Sequence, residues 1–543
     1  MPSKDRFRFV MPFMRSSATA RTISVSSLLL IKTTRPIALD EVRITVGGRA
    51  FPARIRPLIG SSSTKKRSHV ARLTLALSEA DFHEMTIHNR IRACVGEPSY
   101  DEEGKPVAPY IERPITYNVL LRPYLAAHGP LLRSSDGSTV AFFRQGRRRS
   151  VILTIRHANI TDAWPKKMQL YAAWLVSRVA PGRPSTLLFE KNAHKYEESG
   201  SVVFERLVDL GYNDVYFVAP HDCLPEEAAP YASRVIEPHT FRHYLAFFRS
   251  RNFVGSEVMS HALELRCQNV CVQNKLRDAK VHYVFLQHGV MYMVSLDSPE
   301  RTSFQRQNLP PRSKVVVSSA AEADHFKELA GFCDDDLIVS GLAKFDRSYQ
   351  DADADKILIM PTWRPWEFNQ ARIEPGSTAY ARMIDRIVSA IPEDLRAHVV
   401  VAPHPLFAQS TFAHTEGGVS SFDGGVSYDQ LLRQVKVLIT DYSSISFDAF
   451  YRGANVLFYW EELDDCMAHY GWPTHLMIDE QTAFGPVCRK PADVAAYVRQ
   501  AYEQGQSEQA KRRYERIVAF HDGNNTQRIV DAMVEWGMLS KRP

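Results

Sequence analysis

At 543 residues, with 45% hydrophobic and 24% charged side chains, the chain is too long for one ordinary domain and too apolar for global disorder. A net charge of +6 is mild for this size. It permits contact with anionic lipid or a polyanionic polymer, and no nucleic-acid partner is expected. Seven scattered cysteines form an odd, sparse set, which argues against a disulfide framework and for a reducing compartment.

Residues 1–148 read as a β-rich accessory domain. TISVSSLLLIK, EVRITVGG, HVARLTLAL, HNRIRACV and ITYNVLL are short runs with β-branched residues or period-two alternation, separated by Gly, Pro, Ser and Asp clusters. The pattern suits an antiparallel sandwich. The N-terminus is basic (Lys4, Arg6, Arg8, Arg15), but the apolar run that follows, Val25 to Ile31, is short and lacks a small-residue cleavage pattern. No stretch approaches the ~18–20 apolar residues of a membrane span. The expectation is a cytoplasmic protein whose membrane contact is at most peripheral, on the inner face of the cell membrane.

From about 150 the pattern changes. VILTI, STLLFE, DVYFVAP and VHYVFLQHG are continuous apolar runs of the kind found in buried parallel sheets, with amphipathic stretches such as SVVFERLVDLG between them. A second series follows: KVVVSS, LIVSG, KILIMP, HVVVAPH, VKVLITD and VLFYW. Two consecutive βαβ series predict an α/β protein with two doubly wound, Rossmann-like lobes, over 149–316 and 317–543. Cys267 and Cys271, in HALELRCQNVC, are expected to be two helical core thiols; no further ligands stand near enough for a metal site.

In open parallel sheets, ligands bind beyond the carboxyl ends of the strands. Four such places carry polar residues. After VHYVFL comes Gln287-His288-Gly289, where glycine permits a sharp turn and the imidazole can take a proton from a hydroxyl. After KILIM come Thr362 and Arg364, a hydroxyl and a planar fork suited to phosphate, although such an Arg can equally form an internal ion pair. After HVVVA, Pro403 and Pro405 flank His404 and preset its direction. After VKVLIT, Asp441 to Asp448 runs from strand into helix. Free N–H groups there attract anions, Ser443 and Ser444 add hydroxyls, and Asp448 lies one turn on. Simple N-capping by Asp441 or Ser443 uses the same geometry. No paired-acid or His-Glu metal motif stands at a strand end, so a transfer without metal or cofactor is preferred.

Four segments carry a resemblance to a known family: FLQHG (285–289), PTWR (361–364), PHPL (403–406) and TDYSSISFDAFYRGANVLFY (440–459). LLFEKN, the GP of FGP, and DGNNTQRI add weaker matches. In that order they resemble the CDP-glycerol glycerophosphotransferases of teichoic-acid and capsule synthesis, over about residues 185–530. The resemblance implies a GT-B fold, with an acceptor-side lobe at 149–316 and a donor lobe at 317–543. It also implies CDP-glycerol or a similar CDP-polyol as donor, CMP as leaving group, and a polyol-phosphate polymer or lipid-linked primer as acceptor. The family's two essential histidines map onto His288 and His404, and its donor contacts onto Thr362, Arg364, Asp441, Ser443, Ser444 and Asp448, with Gly289 beside His288. Many members read Trp-His-Gly-Thr-Pro-Leu-Lys where this chain has Gln287 to Met293, so the Thr and Lys are missing. The expected reaction is in-line displacement at the β-phosphorus, with His288 assisting the acceptor hydroxyl. Its rivals are a GT-B glycosyltransferase using a nucleotide sugar and a non-catalytic relative that binds anionic polymer.

Overall fold

The structure is a computed structural model that describes residues 6–18, 22–51, 53–85, 87–96, 111–126, 132–180, 182–263, 267, 269–367, 370–371, 374–403, 419–422, 426–473 and 475–540. The chain forms two compact units: Met1–Lys167 with Arg266–Asn274, and Met168–Leu265 with Lys275–Pro543.

The N-terminal unit is built on an 11-stranded sheet. Its strands run, in spatial order, Ala53–Pro57, Lys66–Ser78, Thr22–Ile37, Phe7–Ala18, Ile111–Tyr117, His88–Val95, Val151–His157, Thr139–Gln145 and Leu132–Arg133, with Val42–Val46 and Arg49–Phe51 branching off. Strict alternation, as in Lys66–Ser78, turns one face toward an apolar cluster shared by Phe9, Val25, Leu73, Ile91, Ile115 and Leu153. Pairing is antiparallel except between Phe7–Ala18 and Ile111–Tyr117, which run parallel, so the sheet is not the purely antiparallel one expected. VILTI also departs from expectation. Val151–His157 pairs with Thr139–Gln145 and His88–Val95, so it closes this sheet and does not open the next one. Cys267 precedes the helix Val270–Leu276 and only Cys271 lies within it.

The second unit holds two all-parallel sheets. The first places Val235–Ile236, Val215–Val218, Thr186–Phe189, Asn252–Gly255, His282–Phe285, Arg312–Val317 and Leu337–Val339 side by side. In chain order this is third, second, first, fourth, fifth, sixth, seventh, the doubly wound arrangement with its switch point between Thr186–Phe189 and Asn252–Gly255. The second sheet repeats the pattern with Ser420–Ser421, Val399–Val401, Lys356–Ile359, Val435–Thr440, Asn455–Tyr459 and Val487–Cys488. Its switch point lies between Lys356–Ile359 and Val435–Thr440.

Two strands given to the second series by the sequence, Arg312–Val317 and Leu337–Val339, belong to the first sheet. The lobe boundary therefore falls between Val339 and Lys356, not at 316/317. The C-terminal helix Asn525–Glu535 also returns to the first lobe: Arg206 donates to Gln527 at 2.6 Å and Asn252 to the Met538 carbonyl at 2.8 Å. Asp346 fastens that helix by accepting from the amides of Asn525 (3.0 Å) and Thr526 (2.7 Å), which accounts for the Asn-Thr of DGNNTQRI. FGP has a packing origin too. A Cβ on Gly485 would sit 1.9 Å from the Val456 carbonyl oxygen.

Candidate active site

At the switch point of the second sheet, the loops after two adjacent strands are locked by one buried carboxylate. Asp441 Oδ1 accepts from the Thr362 amide (2.9 Å), the Thr362 hydroxyl (2.7 Å) and the Tyr442 amide (2.7 Å). Its Oδ2 pairs with Arg364 Nη1 at 3.1 Å. Arg364 is 2% exposed, donates to the Thr362 carbonyl at 2.6 Å and lies over the Tyr442 ring. Burial works against its charge, but neighbouring anions led by Asp441 outweigh that, and Arg364 holds its proton more tightly than an ordinary arginine. Thr362, Arg364 and Asp441, expected to touch donor phosphate, here form an internal clamp with one another. A buried guanidinium needs a counter-ion, and Asp441 supplies it.

Past the clamp, the chain enters the helix Ile445–Arg452. Ser443 and Ser444 are part-exposed at its start, and Ser444 makes no side-chain cap hydrogen bond. The hydroxyl Ser444 carries is therefore not spent on capping. The Ile445 amide donates to Ser443 Oγ at 3.4 Å and the Ser446 and Phe447 amides to the Ser443 and Ser444 carbonyls, so the helix dipole and the Ser444 hydroxyl are what this end offers an anion.

The first lobe meets this end directly. Gln287, at φ +60°, is buried and accepts from the Met291 amide at 3.2 Å, which fixes the turn that presents His288 and Gly289. A Cβ on Gly289 would lie 3.1 Å from Ser444 Oγ and 3.8 Å from Asp448 Oδ2. The absence of a side chain at Gly289 is what lets the two lobes approach here. Lys344, just beyond the seventh strand of the first sheet, donates to the His288 carbonyl at 2.7 Å and pairs with Asp448 at 2.5 Å. Asp448 therefore faces a lysine of the first lobe, with Arg452 on its own helix at 3.9 Å.

The His288 ring is about a third exposed (36%), and its Nδ1 lies 3.8 Å from Glu257 Oε1. Burial, then the positive charges of Arg301, Lys344 and Lys191, lower its pKa, so the imidazole is neutral at pH 7 and a weaker base than a free imidazole. Burial and neighbouring Glu198 push Glu257 up to about 7.

A helix end beside the switch point of the first lobe, the one after its first strand, is closed. Glu190, fully buried after the strand Thr186–Phe189, accepts from the amides of Glu197 (2.8 Å), Glu198 (3.0 Å) and Ser201 (2.9 Å) at the start of helix Ser199–Asp209. A carboxylate of the chain itself occupies the place where a bound phosphate would sit.

The structure thus brings His288, Gly289, Ser443, Ser444 and Asp448 together and sets Thr362, Arg364 and Asp441 behind them. His404 lies outside the described residues. Sequence reasoning missed Lys344, Glu190 and Glu257, although each follows an apolar run that forms a strand. Among the described residues, no group of three or more His, Cys, Asp or Glu is arranged to hold a metal ion.

The model of the family described as CDP-Glycerol:Poly(glycerophosphate) glycerophosphotransferase matches residues 173–535. The minor teichoic acid biosynthesis protein GgaB of Bacillus subtilis (strain 168) is 22% identical over 383 residues, covering 65% of this chain and 40% of that protein. The chain thus spans about two fifths of the length of this curated relative. Among solved structures, a variant of the wall teichoic acid polymerase TagF soaked with CDPG superposes with a TM-score of 0.50 at 15% identity, covering 68% of this chain and 93% of that one. A second TagF variant gives the same figures. These structures share the fold: two doubly wound lobes in the GT-B arrangement. Because the family match runs through both parallel sheets and on to the C-terminal helix, the chain belongs to the CDP-glycerol:poly(glycerophosphate) glycerophosphotransferase family.

Proposed function

We propose that the protein transfers glycerol phosphate, or a related polyol phosphate, from a CDP-activated donor to a hydroxyl of a teichoic-acid-like or capsular polymer or its lipid-linked primer. The carrying observation is the closeness of Gly289 and Ser444, which brings the turn that carries His288 in one lobe against the serine-bearing helix N-terminus of the other. The donor's diphosphate takes the helix end, where the helix dipole and the Ser444 hydroxyl meet its charge. His288 accepts the proton of the acceptor hydroxyl. The acceptor oxygen bonds to the phosphorus that carries the polyol, the bond from that phosphorus to the bridging oxygen breaks, and CMP leaves with the electron pair. A phosphodiester and CMP result.

The donor lobe is taken to be the second one because Glu190 already fills the helix end that follows the first strand of the first lobe. The reaction is placed in the cytoplasm with peripheral contact at the inner membrane face. No described helix is long and apolar enough to cross a membrane. The helix Trp164–Val179, however, leaves Trp164, Met168, Leu175 and Val179 exposed, at spacings that put all four on one side.

The test is CMP release from CDP-glycerol by His288→Ala and by wild type. The expected fall is about 10²- to 10⁴-fold with an unchanged melting temperature. Turnover near wild type in the folded variant would remove His288 from the mechanism.

A further inference from the structure

The N-terminal unit presents a surface that the transfer reaction does not use. Four adjoining strands, Ala53–Pro57, Lys66–Ser78, Thr22–Ile37 and Phe7–Ala18, contain no aspartate or glutamate. Alternate residues point into the core, and the register fixes what the rest display. Arg56 stands opposite Arg72, Arg72 opposite Leu28, and Leu28 opposite Phe13. The neighbouring row joins Val70 to Leu30 and Leu30 to Val10. Cations close the patch at both ends: Arg54 and Arg15 flank the row through Ser26, and Lys32 stands opposite Arg8.

The result is an apolar centre bordered by six cations. Phe13 is 62% exposed and Val70 44%, and Ile59 at the adjoining loop is 86% exposed. None of the six cations is in an ion pair with another described residue. Like charges directly opposite one another, as in Arg56–Arg72 and Arg8–Lys32, destabilise a sheet, so the missing anions must come from outside the strands. A free polyanion would satisfy the cations but leave the apolar centre in water. A second copy of the same face would be repelled.

We propose that this face docks on the surface of an anionic phospholipid bilayer, its apolar centre entering the interface and its cations lying over the headgroups. The proposal rests on the peripheral-membrane part of the proposed function and assigns it a surface. Vesicle binding is measured without the transfer reaction, and CMP release from soluble substrates without vesicles, so either reading can fail alone.

The full chain is to be sedimented with phosphatidylcholine vesicles and with vesicles containing a third phosphatidylglycerol. Each cation near an anionic surface contributes about fivefold (~1 kcal/mol), so Arg54→Gln, Arg56→Gln and Arg72→Gln combined are expected to weaken binding to the anionic vesicles about 100-fold. Phe13→Ser is expected to weaken binding to both kinds, and the melting temperature and CMP release of these exposed variants to stay at wild-type values. If the triple variant does not fold, Arg8→Gln with Lys32→Gln tests the other end of the patch. Equal binding to both vesicle types would overturn the proposal. So would binding lost on Trp164→Ser with Leu175→Ser but kept by the cation variants, or capture of a soluble phosphodiester polymer as tightly as anionic vesicles.

Discussion

The two parallel sheets of the second unit solve the same local problem in opposite ways. Each has a switch point, a strand ending beside it, and a helix whose first amides need acceptors. In the first sheet the chain fills that end with its own Glu190 carboxylate. In the second, the carboxylate that follows the strand on the other side of its switch point, Asp441, turns inward to Thr362 and Arg364, and the helix end is left to Ser443 and Ser444. One end is occupied by a group that cannot leave, and the other is held open by a rigid clamp. The two lobes share a topology, yet the helix end after the first strand of one is closed by Glu190 while the helix end after the fourth strand of the other carries two part-exposed serines.

Three variants press on this contrast. The largest effect is expected from Arg364→Met, which strands Asp441 without its counter-ion and should cost about 3–5 kcal/mol in denaturant unfolding. Weaker donor binding at undiminished stability would instead make Arg364 a donor ligand and undo the clamp. Next comes Ser443→Ala with Ser444→Ala. If the open end holds the diphosphate, CMP release should fall about 10²- to 10³-fold while unfolding is little changed. Unaltered turnover would mean that the donor lies elsewhere. The smallest effect is expected from Glu190→Gln, which replaces one acceptor oxygen by an amide donor and should cost about 1–3 kcal/mol of stability without altering the KM for donor. A raised KM in that variant would show that the closed end takes part in binding after all.

Much of this site could be read before folding. The rule that ligands gather beyond strand ends located His288, Ser443 and Ser444, because buried parallel strands are continuous apolar runs with visible ends. What could not be read was direction. Arg364 and Ser443 both follow such runs, yet one points into the interior and the other toward solvent, and polarity is the same signal in either case. The lobe boundary was missed for a related reason. Arg312–Val317 and Leu337–Val339 have the apolar pattern of any central strand, and only the pairing of the first with His282–Phe285, and of the second with the first, assigns them to the first sheet. Lys344 was overlooked in consequence, since LIVSG was counted with the wrong lobe. Val151–His157 was misplaced likewise, its buried run serving an antiparallel sheet rather than a parallel one.

The return of the helix Asn525–Glu535 to the first lobe carries a consequence for synthesis. Asp346, two residues past Lys344, takes the hydrogen bonds to its carboxylate, among the described residues, from Asn525 and Thr526. Strand Asn252–Gly255 likewise awaits Met538, and His282 awaits the Trp536 ring. At ribosomal rates those residues emerge about 10–40 s after the loop they complete. During that interval the nascent first lobe has an uncovered flank, and a ribosome stalled short of residue 525 would leave a chain with both sheets encoded and the reactive loop untethered.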